Sequence, residues 1–193
     1  GETIDYGPCA FMDTYNPEKI FSSIDHNGRY SYQNQSLISH WNISRFAETL
    51  IPFINNSEVK AIEIGKEIIN EFEVIFKNKW LEMMKNKLGF INNEKNDLII
   101  IQDLLGWMKT NKADFTNTFI CLMNNQKIVD KIYSNESFAK VKKKIIDRKK
   151  IKKFPNKLSI LKMKSNNPLV IPRNHIVEKA LAEINKSQDY SIF

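Results

Sequence analysis

Thr3-Ile4-Asp5-Tyr6-Gly7-Pro8-Cys9-Ala10-Phe11-Met12-Asp13 stands at the head of the chain. Ser22-Ser23-Ile24-Asp25-His26-Asn27-Gly28-Arg29-Tyr30-Ser31-Tyr32-Gln33-Asn34-Gln35 follows after a short gap. In the first stretch, one carboxylate, Asp5, sits behind a β-branched pair and ahead of an aromatic residue and a glycine. The aromatic can anchor such a loop, Gly7 lets it turn sharply, and the carboxylate can reach a metal ion. Phosphoryl-transfer enzymes hold magnesium against nucleotide phosphates in one such way. Taken alone, the tetrapeptide describes a turn with a capping Asp at least as well.

Residues 6–35 read as loop: Pro8, Pro17, Gly28 and many Asn, Ser and Asp, with no sustained period. Tyr15, Phe21, Tyr30 and Tyr32 would pin the loop down. A loop of this length in a compact domain is usually functional. Asp13, Asp25, His26 and Arg29 are read as braces, Asp25 as a turn acceptor and Arg29 as a donor to carbonyls or a carboxylate. His26 and His175 have no partner at ligand spacing, so no metal role is expected of them.

Helical spacing then takes over. Ile43, Phe46, Ala47 and Leu50 form one apolar face, with Pro52 marking its exit. Asn56 or Ser57 caps the longest helix, expected to run to about Lys87 and to stop at Gly89. Its buried side would be Ile68, Phe72, Ile75, Phe76, Trp80, Met83 and Met84. Further helices are expected from Asn96 or Asp97 (core Leu98, Ile101, Leu104, Leu105, Met108), after Asp114 (Phe115, Phe119, Leu122, Met123) and over 136–148 (Phe138, Val141, Ile145). The last has Pro172 in its first turn and buries Ile176, Val177, Ala180 and Leu181. Beyond a possible short strand at residues 2–4, no strand pattern stands out. The expected class is mainly α.

With 193 residues, the chain can bury roughly 70% of its unfolded surface in one domain. It contains no run of about 18 apolar residues and no basic-then-apolar leader pattern, so no membrane partner is expected. Cys9 and Cys121 are too few for a disulfide scaffold and read as packing residues of a reduced, cytoplasmic protein. The net charge of +7 is local, since nine Lys or Arg face one Asp between Lys140 and Lys153 and the rest is near neutral. That window reads as a solvated amphipathic helix. Its aromatics stand only at the edges, which suits base stacking poorly.

Asp5-Tyr6-Gly7-Pro8, Phe11-Met12-Asp13, the run from Asp25 to Tyr30 and Asn34-Gln35 together resemble the selenoprotein O family of protein-kinase-like adenylyltransferases. In the same order come Trp41-Asn42, Arg45-Phe46-Ala47, the run from Ala113 to Phe119, and the run from Asn167 to His175. The resemblance implies the helical C-lobe half of a protein-kinase-like fold, preceded by an activation-segment-like loop. On that reading residues 1–193 are a single helical domain, with the metal motif and loop in 1–37 and the helical body in 38–193. It gives Asp5 the place of the magnesium-binding carboxylate beside the nucleotide, the one metal-binding and cofactor-binding residue carried over. The implied activity of the full-length protein is transfer of AMP from ATP to Ser, Thr or Tyr hydroxyls of proteins, with Mg2+.

The family's nucleotide-binding half and its Asp-Asn pair, which supplies the proton acceptor, would lie upstream of Gly1, so no catalytic residue is assigned within the chain. Alone, the chain is expected to be inactive and to bind neither ATP nor Mg2+. Phe21 stands where many members carry a cysteine, so redox control is not carried over. Neither the protein substrates nor the oligomeric state is legible. The alternative, from another class, is a helical module that binds nucleic acid through the lysine-rich face 140–153; nucleic acid is not the expected partner.

Overall fold

A computed structural model of the chain describes residues 11–124, 130–151 and 155–192. These residues form seven α-helices: α1 (Gln35–Ile54), α2 (Glu58–Leu88), α3 (Asp97–Thr110), α4 (Phe115–Asn124), α5 (Glu136–Lys150), α6 (Asn156–Asn166) and α7 (Asn174–Ser187). Two 3-10 turns, Tyr32–Asn34 and Lys131–Ser134, precede α1 and α5. Among the described residues there is no sheet; Thr14 and Asp114 form an isolated antiparallel bridge. Mainly α is therefore the observed class. The possible strand at residues 2–4 lies outside the described residues. The chain divides into two compact units, one holding Pro17–Lys85 and the other holding residues 11–16 and the chain from Asn86 onward.

In the first unit, residues 17–34 are irregular but tied down. Tyr32 N donates to Lys19 O at 3.0 Å and Gln33 N to Pro17 O at 2.8 Å. As expected, Asp25 is a turn acceptor: its carboxylate takes the amides of Arg29 at 2.8 Å and Tyr30 at 2.9 Å. Gly28 closes that turn at φ +66°. The Arg29 guanidinium, expected to donate to carbonyls or a carboxylate, makes neither bond among the described residues and lies 4.7 Å from the Trp41 ring centre, where an aromatic face attracts a cation. Pro52 does not end α1 but sits inside its last turn, and the helix continues to Ile54. A proline there removes the amide that would bond the Glu48 carbonyl and its ring crowds that carbonyl, in keeping with a helix that ends two residues later.

The buried stripe of α2 is set differently from the sequence reading. Ala61 and Met84 are buried and Phe72, Phe76 and Trp80 half-buried, whereas Ile68, Ile75 and Met83 are exposed. A four-residue step drifts slowly around a helix, so the stripe selects one side of a wider apolar face. The helix stops where expected, with Gly89 at φ +72°.

The second unit holds the larger buried cluster. Ile101, Leu104, Trp107 and Met108 of α3 pack toward Phe138 and Ile145 of α5, with the Trp107 and Phe138 rings 4.8 Å apart. Leu98, expected in that core, is 42% exposed. One position away, Asp97 is buried instead because it pairs with Arg148. Helix α6 was not expected; its lysines interrupt the apolar spacing, yet Ser159 and Met163 are buried. Pro172 precedes the N-cap, Arg173, rather than sitting in the first turn. Of the four α7 residues expected inside, only Ala180 is buried, and Ile176, Val177 and Leu181 are exposed.

Candidate functional site

Asp5, the expected metal ligand, and Cys9 lie outside the described residues. What is described is how the chain eight residues beyond Asp5 is fixed. Phe115 N donates to Asp13 O at 2.7 Å and Tyr15 N to Ala113 O at 2.9 Å, so residues 13–15 lie against the entry to α4. Met12 and Tyr15 are buried beside this bridge.

Arg173 closes the arrangement. Its Nη1 donates to Asp13 Oδ1 at 2.5 Å and to Asp114 Oδ2 at 2.6 Å. The other Asp114 oxygen accepts Asn117 N at 2.7 Å and caps α4. The hydrogen bond to Asp114, with the charges of Asp114 and Asp13, raises the Arg173 pKa above its ordinary value. One guanidinium thus joins three segments far apart in sequence: the stretch after Asp5, the start of α4 and the start of α7. Asp13 and Asp114 are both engaged by a cation, so a divalent ion would have to displace Arg173 to use them. Among the described residues no group of three or more His, Cys, Asp or Glu is placed to hold a metal. His26 and His175 are exposed.

The lysine-rich helix is less uniformly solvated than its sequence suggests. Lys140 pairs with Glu136 at 2.9 Å, Lys144 with Asp103 at 2.6 Å and Lys150 with Asp147 at 3.7 Å. Arg148, counted with the charged face, is only 4% exposed. It binds the Asp97 carboxylate through Nε and Nη2, and it donates to the carbonyl oxygen of Asn92 at 2.8 Å. Sequence reasoning missed this buried pair because an Arg within a run of lysines carries no mark of burial. Lys152 and Lys153, also in the window, lie outside the described residues. Carboxylates therefore neutralise much of the described basic face, which weakens it as a track for a phosphate backbone.

Together these features define a mainly α-helical protein in which an arginine clamp fixes the chain just after an Asp-aromatic-Gly motif. Comparison with known proteins assigns it: the chain belongs to the protein adenylyltransferase SelO family, whose sequence profile matches residues 1–193. It is 48% identical over 193 residues to a protein nucleotidyltransferase YdiU of Pelagibacter ubique, covering 100% of this chain and 40% of the relative. It is 44% identical over 194 residues to the protein of that name from Brevibacillus brevis, covering 100% of this chain and 39% of the relative. The Lachnoclostridium phytofermentans protein of that name is 46% identical over 191 residues, 99% of this chain and 40% of the relative. The chain thus spans about two fifths of the length of these curated relatives.

Proposed function

We propose that this chain is the helical carboxyl-terminal portion of a kinase-like protein adenylyltransferase. The whole protein would transfer AMP from ATP to Ser, Thr or Tyr hydroxyls of other proteins in the cytoplasm. The observation that carries this reading is the family match along the whole chain, with 48% identity to one nucleotidyltransferase. In this reading residues 6–35 are the activation-segment-like loop. Asp5 holds magnesium, which when bound offsets negative charge on the triphosphate. Asp5 would supply an oxygen ligand to the metal, while the Arg173 clamp fixes the chain that follows it. The proton acceptor and the remaining phosphate contacts come from outside this chain, so the chain alone binds ATP too weakly to matter and transfers nothing.

The test uses the whole protein and labelled ATP. Asp5→Ala is expected to abolish magnesium-dependent labelling of protein while leaving the thermal melting curve in place, because an isolated loop charge contributes little to stability. Undiminished transfer by the Asp5→Ala protein would remove Asp5 from the metal site. Micromolar ATP binding by the 193-residue chain would overturn its dependence on the rest of the protein.

A further inference from the structure

A cleft of about 810 Å³ opens in the second unit between the outer half of α5, the start of α6 and residues 89–92. This is within the range of roughly 300–1,000 Å³ usual for small-molecule sites. Lys142, Arg148, Lys149 and Lys150 line it, and among the described residues no Asp or Glu does. Arg148 is committed to Asp97 and Lys150 is paired with Asp147, which leaves Lys142 and Lys149. These two stand two turns apart on one face of α5, with Ile145 and Ile146 between them.

The Lys149 ammonium lies 3.1 Å from the Met163 sulfur, a weak acceptor that leaves most of its charge unanswered. Burial lowers its pKa to about 8. A desolvated cation in a cleft without carboxylates points to an anionic occupant. The rest of the wall describes that occupant's body. Ile91, Ile146, Ile160 and Leu122 make it aliphatic. Phe90, the aromatic ring lining the cleft, is covered by the Arg148 guanidinium 4.7 Å from its centre. Among the described residues a nucleobase would find no open ring there to stack on. An aliphatic chain would find a surface that fits it.

We propose that this cleft binds a small anionic amphiphile, its carboxylate or phosphate head on Lys149 and Lys142 and its aliphatic chain along Ile146, Ile160 and Leu122. The lining includes neither Arg173 nor the aspartates it holds, and the site stands whether or not the transferase reading does.

The test is calorimetry on the 193-residue chain without nucleotide or metal, using decanoate and decyl phosphate below their micelle concentrations. Saturable one-to-one binding is expected for at least one of them, and the tighter of the two identifies the head group. Decanol and inorganic phosphate should each bind at least tenfold more weakly than that probe, since each satisfies one half of the cleft. Lys142→Met with Lys149→Met should weaken binding at least tenfold, while Lys143→Met, outside the lining, should leave it within twofold. Neither substitution adds a buried polar group, and circular dichroism checks that both variants are folded. Absence of saturable binding by both probes, equal affinity in the double variant, or tighter binding of AMP than of either probe would overturn the proposal.

Discussion

Arg148→Met tests the energetics of the second unit most sharply. The side chain keeps roughly its length and apolar stem but loses every donor. Arg148 holds both Asp97 oxygens, the Asn92 carbonyl at 2.8 Å and Asn92 Oδ1 at 3.2 Å. Both charged side chains are 3% exposed, so water cannot replace the lost partner without opening the structure. Asp97 would keep one bond, from Glu94 N at 3.0 Å, and would otherwise be a buried charge without a counterion. Removing one member of such a pair costs about 3–5 kcal/mol. In a protein of this size, each kcal/mol lowers the melting temperature by about 2–4 °C, which gives a loss of roughly 10 °C. Asp97→Asn in the Arg148→Met background should recover at least about 1 kcal/mol, because the stranded charge disappears with its partner. Urea denaturation followed by circular dichroism supplies all four corners of the cycle. If Arg148→Met costs less than about 1 kcal/mol, the pair is not dry and the account of this unit's core is wrong.

Gly89→Ala should destabilise the chain by about 1–2 kcal/mol from its left-handed backbone alone. The added Cβ would also meet Ser159 O at 2.6 Å, so a loss within 0.5 kcal/mol in the same assay would contradict the close approach of α6. Lys149 predicts a pH dependence. Its folded pKa of about 8 lies below the ordinary lysine value of 10.5, so the unfolded chain binds more protons between the two, and stability should rise with pH across that window. The penalty below pH 8 is at most about 3 kcal/mol. Lys149→Met should melt higher at pH 7 and lose this part of the rise; an unchanged difference from the parent between pH 7.5 and 10 would refute it. Arg173→Met, which leaves Asp13 and Asp114 facing each other without a cation, should cost about 1–2 kcal/mol, and Arg173→Lys should cost less. Equal losses in the two variants would mean that charge is not what the clamp supplies.

The helices were legible where apolar residues recur at three- and four-residue spacing. Gly89 as the stop of α2 and a helix start just after Asp114 were legible from the sequence. The limit lay in which side of an apolar helix becomes buried. In α2 Ile68, Ile75 and Met83, and in α7 Ile176, Val177 and Leu181, fit the apolar spacing, yet all of them are exposed. Spacing defines a broad face, and tertiary neighbours select within it. The same limit hid α6, where Lys157, Lys162 and Lys164 break the stripe. The Asp13–Arg173 contact was beyond reach as well, since no local rule ties residues 160 positions apart. The family motifs contained both residues without stating that they meet.

That contact belongs to a wider pattern in the second unit. As the chain leaves α2, its carbonyls have no helical partners and need donors from elsewhere. Asn167 Nδ2 donates to Lys87 O at 2.9 Å, Ser159 Oγ to Gly89 O at 2.9 Å and Arg148 Nη2 to Asn92 O at 2.8 Å. Each donor arrives from more than fifty residues away, and Asn167 Nδ2 also donates to Met163 O in the last turn of α6. Apolar burial alone would let short helices slide over one another, because it has no direction. Side-chain bonds to fixed backbone oxygens have direction, so they set the positions of α5 and α6 relative to residues 87–92. The cleft wall is built on this frame. Ser159 and Arg148 both line the cleft and both donate to carbonyls at residues 89–92, so the surface that carries Lys142 and Lys149 is held by the bonds that end α2.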